Sequence, residues 1–258
     1  MSARAVVSAT DHGGVRVLTL NRPSSRNALG RELIEELYGA LDDADGDETV
    51  RAIVLTGTDP AFCAGVDLKQ AQTLGMEYFA KFRSHNCITK TGELRTPIIG
   101  AINGATFTGG LEMALGCDFL IASERAVFAD THARVGILPG GGMTARLPQV
   151  VGAAMARRLS MTGEVVDAAR AERLGLVTEV VSHERLLDRA LELAGQIAEV
   201  PGPTMVGLKE IYTRGSDPLI SPALAAEQAI AGAQTRDFDG LGDRYRAVAQ
   251  RNRGQIDD

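Results

Sequence analysis

The stretch Asn103-Gly104-Ala105-Thr106-Phe107-Thr108-Gly109-Gly110-Leu111-Glu112 joins two segments of different pattern. The apolar run Pro97–Ile102 before it predicts a buried strand, and the run from Leu111 to Cys117 after it predicts a helix. Glycine at such a junction lets the backbone approach a ligand without a Cβ in the way. A helix that begins at Gly109–Gly110 has unpaired N–H groups and a partial positive charge in its first turn. We therefore expect this helix end to be suited to an oxyanion.

A second turn of the same kind, Phe62-Cys63-Ala64-Gly65-Val66-Asp67-Leu68-Lys69, follows the buried strand predicted over Ala52–Thr56. Glycine-rich turns between strands and helices are common in α/β proteins, so each turn taken singly is also explained by turn chemistry alone. The chain contains no GxxxxGK(S/T), GxGxxG or GxSxG pattern. Phosphate-loop, dinucleotide-fold and serine-hydrolase interpretations therefore have no motif support.

The pattern on either side of these turns alternates strands and helices before it becomes wholly helical. Val15–Leu20 predicts a half-buried strand, and Asn27 is predicted to be the N-cap of the amphipathic helix that follows. Residues 68–91 predict a weaker helix. Further strands are predicted over Phe119–Ala122, Ala126–Phe128 and Val177–Val181, a helix over Leu186–Ile197 that Pro201 and Pro203 stop, and helices from Thr204 to Asp258. The order predicts an α/β core with a C-terminal helical appendage.

Composition excludes several functional classes. The 258 residues are 45% hydrophobic with a net charge of -6 and no run of Lys or Arg, so nucleic acid is not expected as a partner. The N-terminus lacks the apolar core of a signal peptide, and the weakly apolar stretch Thr96–Ala122 is interrupted by Asn103, Glu112 and Asp118, so no membrane span is expected. Three widely spaced cysteines fit reduced thiols and a cytoplasmic location. Four scattered histidines form no cluster with metal-ligand spacing, so no metal site is expected.

Taken together and in order, these segments resemble the crotonase (enoyl-CoA hydratase/isomerase) superfamily. The resemblance runs from about Val15 to Val181 and more loosely to the C-terminus. The segments that carry it are Leu20–Pro23, Asn27–Leu29, Phe62–Lys69, Ile102–Gly104, Gly109–Glu112, Cys117-Asp118, Gly136–Gly142, Thr162-Gly163, Ala168, Ala171 and Gly175–Val177. Any one of them alone is a weak signal, whereas so many in the right order make the resemblance specific.

The resemblance implies a crotonase-like spiral of ββα repeats with a C-terminal helical region. Residues 1–198 would form the spiral core, and residues 199–258 a helical trimerisation region. It implies homotrimers, often paired into hexamers, and an acyl-CoA thioester as the binding partner. No separate cofactor is expected, because coenzyme A is part of the substrate.

The resemblance also assigns roles within the two glycine-rich turns. The main-chain N–H groups of Val66 and Gly109 would form the oxyanion hole for the thioester oxygen. In a site without water, each of two such preorganised donors can stabilise the transition state by roughly 3 kcal/mol. The carbonyl of Ala64 and the segment of Asp67, Leu68 and Lys69 would lie along the adenine and pantetheine of coenzyme A.

Glu112 stands one helical turn beyond Gly109, so its carboxylate is expected beside the oxyanion donors. In hydratases of this family the matching residue is a Glu that handles the water molecule. The alternative is that Glu112 is an exposed helix residue favoured by the helix dipole.

His132 stands where hydratases of this family carry a second Glu. Hydration moves a proton at both carbons of a double bond, and two carboxylates with separated pKa values do this well. His132 is therefore a candidate for the second acid–base group, since imidazole titrates near neutrality. Asp130 could supply the carboxylate instead, although pairing with Arg134 would hold it ionised. Two further alternatives are that Glu112 acts alone and that His132 is purely structural.

These residues predict an enoyl-CoA hydratase-like lyase. An enoyl-CoA isomerase that uses Glu112 alone and a catalytically weak acyl-CoA-binding protein are the alternatives. Phe79 and Phe82 are expected to border the acyl pocket. Lys209 and four arginines of the C-terminal segment could reach the phosphates of coenzyme A, although solvated surface charge is the default interpretation: Arg244, Arg246, Arg251 and Arg253.

Overall fold

A computed structural model describes residues 5–237 and 240–257, apart from the side chains of Arg83 and Asp257. In chain order its strands are β1 (Val7–His12), β2 (Val15–Leu20), β3 (Ala52–Gly57), β4 (Ala61–Cys63), β5 (Ile98–Ile102), β6 (Ala105–Phe107), β7 (Phe119–Ser123), β8 (Val127–Ala129), β9 (Val166–Asp167) and β10 (Glu179–Val181). Its helices are α1 (Arg31–Gly46), α2 (Leu68–Leu74), α3 (Met76–Ser84), α4 (Cys87–Lys90), α5 (Gly109–Leu115), α6 (His132–Val135), α7 (Met143–Val151), α8 (Ala153–Thr162), α9 (Ala168–Arg173), α10 (Leu186–Glu199), α11 (Gly202–Ala233) and α12 (Leu241–Asp257). Short 3-10 helices cover Pro23–Ser25 and His183–Arg185.

The strands form two sheets that the chain visits alternately. One sheet has the order β1-β2-β3-β5-β7-β10, and the other has the order β4-β6-β8-β9. Only the β1–β2 and β8–β9 pairs are antiparallel among the described strands. The units β3–β4–α2, β5–β6–α5 and β7–β8–α6 each place one strand in each sheet before a helix follows. These repeated ββα turns, followed by the helices α11 and α12, confirm the predicted fold class.

The central strands β3, β5 and β7 of the six-stranded sheet are buried on both faces, which explains why they are continuous apolar runs rather than alternating ones. On one face Val54, Ile99 and Ile121 pack against α10, through Leu186, Ala190 and Ala194. On the other face Ile53 and Leu55 belong to the larger core, which includes the apolar side of α1. Because β3, β5 and β7 are parallel, their carboxyl ends lie at one edge, from which the chain passes into β4, β6 and β8 of the other sheet.

The prediction that Asn27 is a helix N-cap is wrong. Helix α1 begins at Arg31, and its N-cap is Gly30. Asn27 is fully buried with a φ of 53°, in the left-handed region that asparagine tolerates. Its side chain accepts from the Arg22 N–H at 2.8 Å and donates to the carbonyls of Thr58 and Ala61. Asn27 therefore ties the segment after β2 to the turn between β3 and β4.

The weak helix predicted over residues 68–91 is divided into α2, α3 and α4. Gly75 interrupts it with a φ of 54°, and His85–Asn86 separates the last two helices. Strand β6, which lies inside the glycine-rich stretch, was not predicted because three residues carry too little pattern. Pro203 lies in the first turn of α11, where proline is well suited, and does not end α10.

The C-terminal helices pack against the elements that carry the candidate site. Helix α11 contacts α7, while α12 contacts α6 and α2. Much of α11 is exposed, including the apolar side chains of Leu208, Ile211 and Leu219. None of the helices within residues 5–237 and 240–257 combines the length and the apolar character needed to cross a membrane.

Candidate active site

The two glycine-rich turns lie against each other at the carboxyl edge of the strands. Gly65 has a φ of 86°, and a Cβ on it would lie 2.8 Å from the carbonyl oxygen of Phe107. A Cβ on Gly110 would lie 2.8 Å from the Cβ of Cys63 and closer still to the carbonyl oxygen of Cys63. Contacts below 3.0 Å are not tolerated, so only glycine permits this approach at both positions. The sequence prediction was that glycine lets the backbone approach a ligand, whereas at Gly65 and Gly110 glycine is required because one turn packs on the other.

Val66 and Gly109, the two predicted oxyanion donors, line a single cavity of about 500 Å³ together with Glu112 and His132. Gly109 is the first residue of α5, so its N–H lacks an intrahelical acceptor. The main-chain N–H groups of Val66 and Gly109 have no hydrogen-bond acceptor within the described residues, 5–237 and 240–257. Both amides therefore remain available for an oxygen atom in the cavity.

The position of Val66 is set by its neighbours rather than by its own side chain. The Leu29 N–H donates to the carbonyl of Gly65 at 2.8 Å, which makes an isolated parallel bridge between Leu29 and Val66. The buried hydroxyl of Tyr78 donates to the carbonyl of Leu29 and accepts from the Asp67 N–H at 3.2 Å. Sequence reasoning missed Tyr78, because a tyrosine in a weak helical pattern gives no signal of a contact made across the fold.

The Glu112 carboxylate is buried, with 2% of the residue exposed, so the interpretation as an exposed helix residue is wrong. One of its oxygens, Oε1, accepts from the N–H groups of Gly141 at 2.8 Å and Met143 at 3.3 Å. The other oxygen, Oε2, lies 3.6 Å from Nε2 of His132. The two main-chain donors thus fix the carboxylate, and Oε2 is the oxygen left to exchange protons.

His132 lies at the start of α6, and its Nδ1, the ring nitrogen away from Glu112, is bound by Asp130. Nδ1 lies 2.8 Å from Oδ1 of Asp130, which also accepts from the His132 N–H at 3.2 Å. Asp130 is buried on the far side of the imidazole from Glu112. It lines neither this cavity nor the smaller one described below. The predicted pairing of Asp130 with Arg134 is wrong. Arg134 is exposed and donates to the carbonyl of Thr162 at 2.8 Å instead.

The charges of this cluster shift the pKa values of its members in different directions. Burial raises the pKa of Glu112; the positive charge of His132 opposes the rise and the negative charge of Glu227 adds to it. Burial alone would lower the pKa of His132, but the charge of Glu112 and the hydrogen bond to Asp130 raise it to about 9. Burial also opposes ionisation of Asp130, yet the hydrogen bond and charge of His132 hold its pKa below the usual value. Asp130 and His132 therefore form an ion pair near neutral pH.

A second, smaller cavity of about 290 Å³ adjoins the first, and Val66, His132 and Ile137 line both. Of the residues predicted along coenzyme A, Ala64 and Leu68 line this smaller cavity. The Asp67 side chain instead pairs with Arg22 at 3.0 Å and caps α2, and the exposed Lys69 lies outside both described linings.

The larger cavity extends from Glu112 towards α3 and the end of α11. Phe79 and Phe82 line it, as predicted for the acyl pocket, and Arg236 lies over the Phe79 ring with 4.5 Å between guanidinium and centroid. The aromatic and aliphatic lining favours an apolar group in this part of the cavity.

Among the basic residues considered from the sequence, only Arg253 lines the smaller cavity. Lys209 pairs with Asp118 at 2.8 Å. The other three arginines bond within the chain, Arg244 to Val135 and Asp237, Arg246 to Asp243, and Arg251 to Thr162 and Gly163. Arg26 and Arg125, which sequence reasoning missed, also line the smaller cavity. No local pattern marks them, because their proximity arises only from the folding of distant segments.

Glu227 is a further buried carboxylate that sequence reasoning missed. It projects from α11 and accepts from the N–H groups of Gly142 at 2.7 Å and Thr144 at 2.6 Å. It also accepts from the Thr144 hydroxyl at 2.6 Å. No group of three metal-ligating side chains with suitable geometry occurs in the part of the chain that the structure describes.

Comparisons with known proteins agree with this architecture. Residues 10–239 match the family model described as enoyl-CoA hydratase/isomerase. The chain is 41% identical over 220 residues to a Rhizobium meliloti protein named "Probable enoyl-CoA hydratase", which covers 84% of this chain and 85% of that protein. The crystal structure of an enoyl-CoA hydratase from Mycobacterium smegmatis is similar, with 46% identity and a TM-score of 0.78 over 88% of this chain and 96% of the other. An enoyl-CoA hydratase structure from Mycobacterium avium gives 45% identity and a TM-score of 0.79, over 92% and 99% of the two chains.

Proposed function

The chain belongs to the enoyl-CoA hydratase/isomerase family, and from that premise we propose that it is a lyase that adds water to a 2-enoyl-CoA thioester. The observation that carries the proposal is the single cavity that Val66, Gly109, Glu112 and His132 line together, with no main-chain acceptor for the Val66 and Gly109 N–H groups among the described residues. Addition of water needs an electrophile stabiliser, a base and an acid, and this cavity holds a candidate for each.

The thioester oxygen would accept hydrogen bonds from the Val66 and Gly109 amides. Attack of water on the β carbon pushes an electron pair through the α carbon onto this oxygen, so negative charge develops on the atom that the two amides would bind. Backbone donors fixed by the fold stabilise that charge without reorganisation, and each can contribute roughly 3 kcal/mol.

Glu112 is the proposed base. Oε2 takes the proton that the attacking water loses as its oxygen bonds to the β carbon, while Oε1 stays bound to the amides of Gly141 and Met143. The raised pKa that burial gives Glu112 brings it closer to the working pH, which favours proton transfer in both directions.

His132 is the proposed acid. Its Nε2–H delivers a proton to the α carbon, completing the addition of H and OH across the double bond. The 3.6 Å separation of Nε2 and Glu112 Oε2 then allows the proton gained from water to return to the imidazole. Asp130 acts through His132 as a positioning residue, because it contacts only the far nitrogen of the ring. No redox cofactor is needed, since the reaction balances with water alone.

Coenzyme A is proposed to extend from the oxyanion donors into the smaller cavity, past Ala64 and Leu68. Arg26, Arg125 and Arg253 supply positive charge there, which suits the phosphates of coenzyme A. The main chain of the segment containing Asp67 and Lys69 remains a proposed contact, although the side chain of Asp67 is bound to Arg22.

A homotrimer, or a pair of trimers, is the proposed assembly. The exposed apolar side chains of α11 support it, because one long helix rarely leaves so many apolar groups in water: Val206, Leu208, Ile211, Tyr212, Leu219 and Ile230. Light scattering on purified protein should give a mass of three or six chains.

A cytoplasmic location also remains a proposal, supported by three buried free cysteines among the described residues.

Incubation of purified enzyme with a 2-enoyl-CoA and a 3-enoyl-CoA of equal chain length tests the reaction. We expect a 3-hydroxyacyl-CoA from the 2-enoyl substrate. Conversion of the 3-enoyl substrate alone would make the enzyme an isomerase and overturn the hydratase proposal. Tight binding of both thioesters, with turnover that Glu112→Gln leaves unchanged, would make it a binding protein.

A further inference from the structure

Four successive main-chain N–H groups at the start of α7 are shared by two buried carboxylates. The amides of Gly141 and Met143 donate to Glu112, at 2.8 and 3.3 Å. The amides of Gly142 and Thr144 donate to Glu227, at 2.7 and 2.6 Å. The two carboxylates therefore accept from alternate amides of one short segment.

Glu227 comes from α11, far along the chain from the acid–base centre, and it is buried with 7% of the residue exposed. Burial of a carboxylate is costly unless hydrogen bonds or a counter-charge offset it. The Thr144 hydroxyl at 2.6 Å provides a third hydrogen bond, and the guanidinium of Arg146 is attracted by the charge of Glu227. Arg146 also donates to the carbonyl of Gly141 at 3.2 Å, which steadies the same segment.

The hydrogen bonds to Glu112 and those to Glu227 depend on each other, because they come from consecutive residues whose amides share one backbone segment. If Gly142 and Thr144 were released, the amides of Gly141 and Met143 would lose their orientation towards Glu112. The N-cap Gly142 has a φ of 113° and no side chain to cap α7 itself, so the cap must come from elsewhere in the fold.

We propose that Glu227 is a positioning residue of the acid–base centre, which fixes the α7 amides that hold Glu112 and acts on the Glu112–His132 pair through its charge. This inference rests on the proposed hydratase function and extends it to a residue that touches no substrate. It also makes the correct seating of α11 a condition for activity.

The charged groups around Glu112 determine the sign of the electrostatic effect. They are His132 on α6, Asp130 before it, Glu227 on α11 and Arg146 on α7. The negative charge of Glu227 raises the pKa of both Glu112 and His132. Its removal should therefore lower the pKa of each.

The test compares Glu227→Gln with wild type and with Glu210→Gln, a matched control at an exposed site on the same helix. For Glu227→Gln we expect kcat to fall about 10-fold with KM within twofold, since the oxyanion donors are untouched. The acidic limb of the pH profile of kcat/KM should move to lower pH. Unchanged kcat and an unchanged limb would overturn the proposal, as would an equal effect of Glu210→Gln.

Thr144→Val separates positioning from charge, since it removes one hydrogen bond to Glu227 and keeps the carboxylate. It should lower kcat by a few-fold without moving the acidic limb. If Glu227→Gln does not fold, this variant decides, and wild-type kcat in Thr144→Val would then contradict the proposal.

NMR titration of the His132 imidazole provides a readout that does not depend on turnover. Glu227→Gln should lower the pKa of His132 relative to wild type and to Glu210→Gln. An unshifted pKa would overturn the electrostatic part of the inference. If Glu227→Gln shows the shift but the wild-type protein does not hydrate a 2-enoyl-CoA, the proposed function is rejected and the role of Glu227 at the Glu112–His132 pair remains.

Discussion

The Nε2 atom of His132 lies 3.6 Å from the Oε2 atom of Glu112, and both residues are buried in the same cavity. The opposite nitrogen of the imidazole is bound to Asp130, so the ring cannot turn away from Glu112. An imidazole supported in this way can perform the proton transfer that a second carboxylate would otherwise perform. Its charge state differs from that of a carboxylic acid, and several predictions depend on that difference.

Removal of the Glu112 carboxylate should abolish most of the activity. Glu112→Gln keeps the shape of the side chain but cannot accept a proton, so we expect kcat for hydration of a short 2-enoyl-CoA to fall 10²–10⁴-fold. Initial rates of 3-hydroxyacyl-CoA formation measure this fall in kcat, with Glu77→Gln on the exposed surface as the matched control. Loss of less than threefold would show that another group is the base.

The activity should also depend on the ion pair of Asp130 and His132. The negative charge of Asp130 raises the pKa of His132, which reaches about 9 in the native cluster. Since the imidazolium is the proposed donor, wild-type kcat/KM should decline as pH rises through about 9. Asp130→Asn should lower the pKa of His132, move this basic limb to lower pH and reduce kcat about 10-fold. A limb that stays in place in the variant would contradict the assignment.

The stability of the protein should follow the same titration. The pKa of His132 rises from 6.5 to about 9 on folding, so its contribution to the free energy of unfolding is fully present below pH 6.5 and lost as pH rises through about 9. This contribution is on the order of 3 kcal/mol. Urea unfolding at several pH values should show a decline across this window in wild type and in His12→Gln. His132→Gln should be less stable at the lower end of the window and show no such decline.

The amide of Val66 should matter, whereas its side chain should not. Val66→Pro removes the N–H that is the proposed donor, and we expect kcat/KM to fall 10²–10³-fold. Val66→Ala keeps the amide and should stay within a few-fold of wild type. Thermal unfolding of both variants establishes that they are folded before kinetics are compared. Similar kinetics for folded Val66→Pro and Val66→Ala would mean that this amide does not hold the thioester oxygen.

Asn27 should contribute to stability rather than to helix capping. Asn27→Ala removes the donor to the carbonyls of Thr58 and Ala61 and the acceptor of the Arg22 N–H, and it should cost about 3 kcal/mol in the free energy of unfolding. Asn27→Gly loses the same bonds but accommodates the φ of 53°, so its loss should be smaller by about 1 kcal/mol. Equal losses would show that backbone strain contributes nothing at this position.

The sequence by itself determined the two glycine-rich turns, the longer apolar strands such as β3 and β5, and the place of Glu112 one helical turn beyond Gly109. Glycine requirements such as those at Gly65 and Gly110 arise from backbone geometry, so they leave a readable pattern at fixed places along the chain. Apolar runs such as β3 are equally readable, because a strand buried on both faces has no polar alternation. These local features were sufficient to predict an α/β core with a C-terminal helical appendage, whereas the spiral of ββα units was implied by the resemblance to the crotonase superfamily.

Only the tertiary structure decided how the acid–base centre is built. The sequence left open whether His132 or Asp130 was the second acid–base candidate, and the fold places Asp130 behind His132 and His132 beside Glu112. Glu227 gave no signal at all, since it reaches the α7 amides only when α11 packs on α7. The physical reason is that a buried side chain acquires its partners, and with them its pKa, from elements that are distant in the chain and meet only on folding.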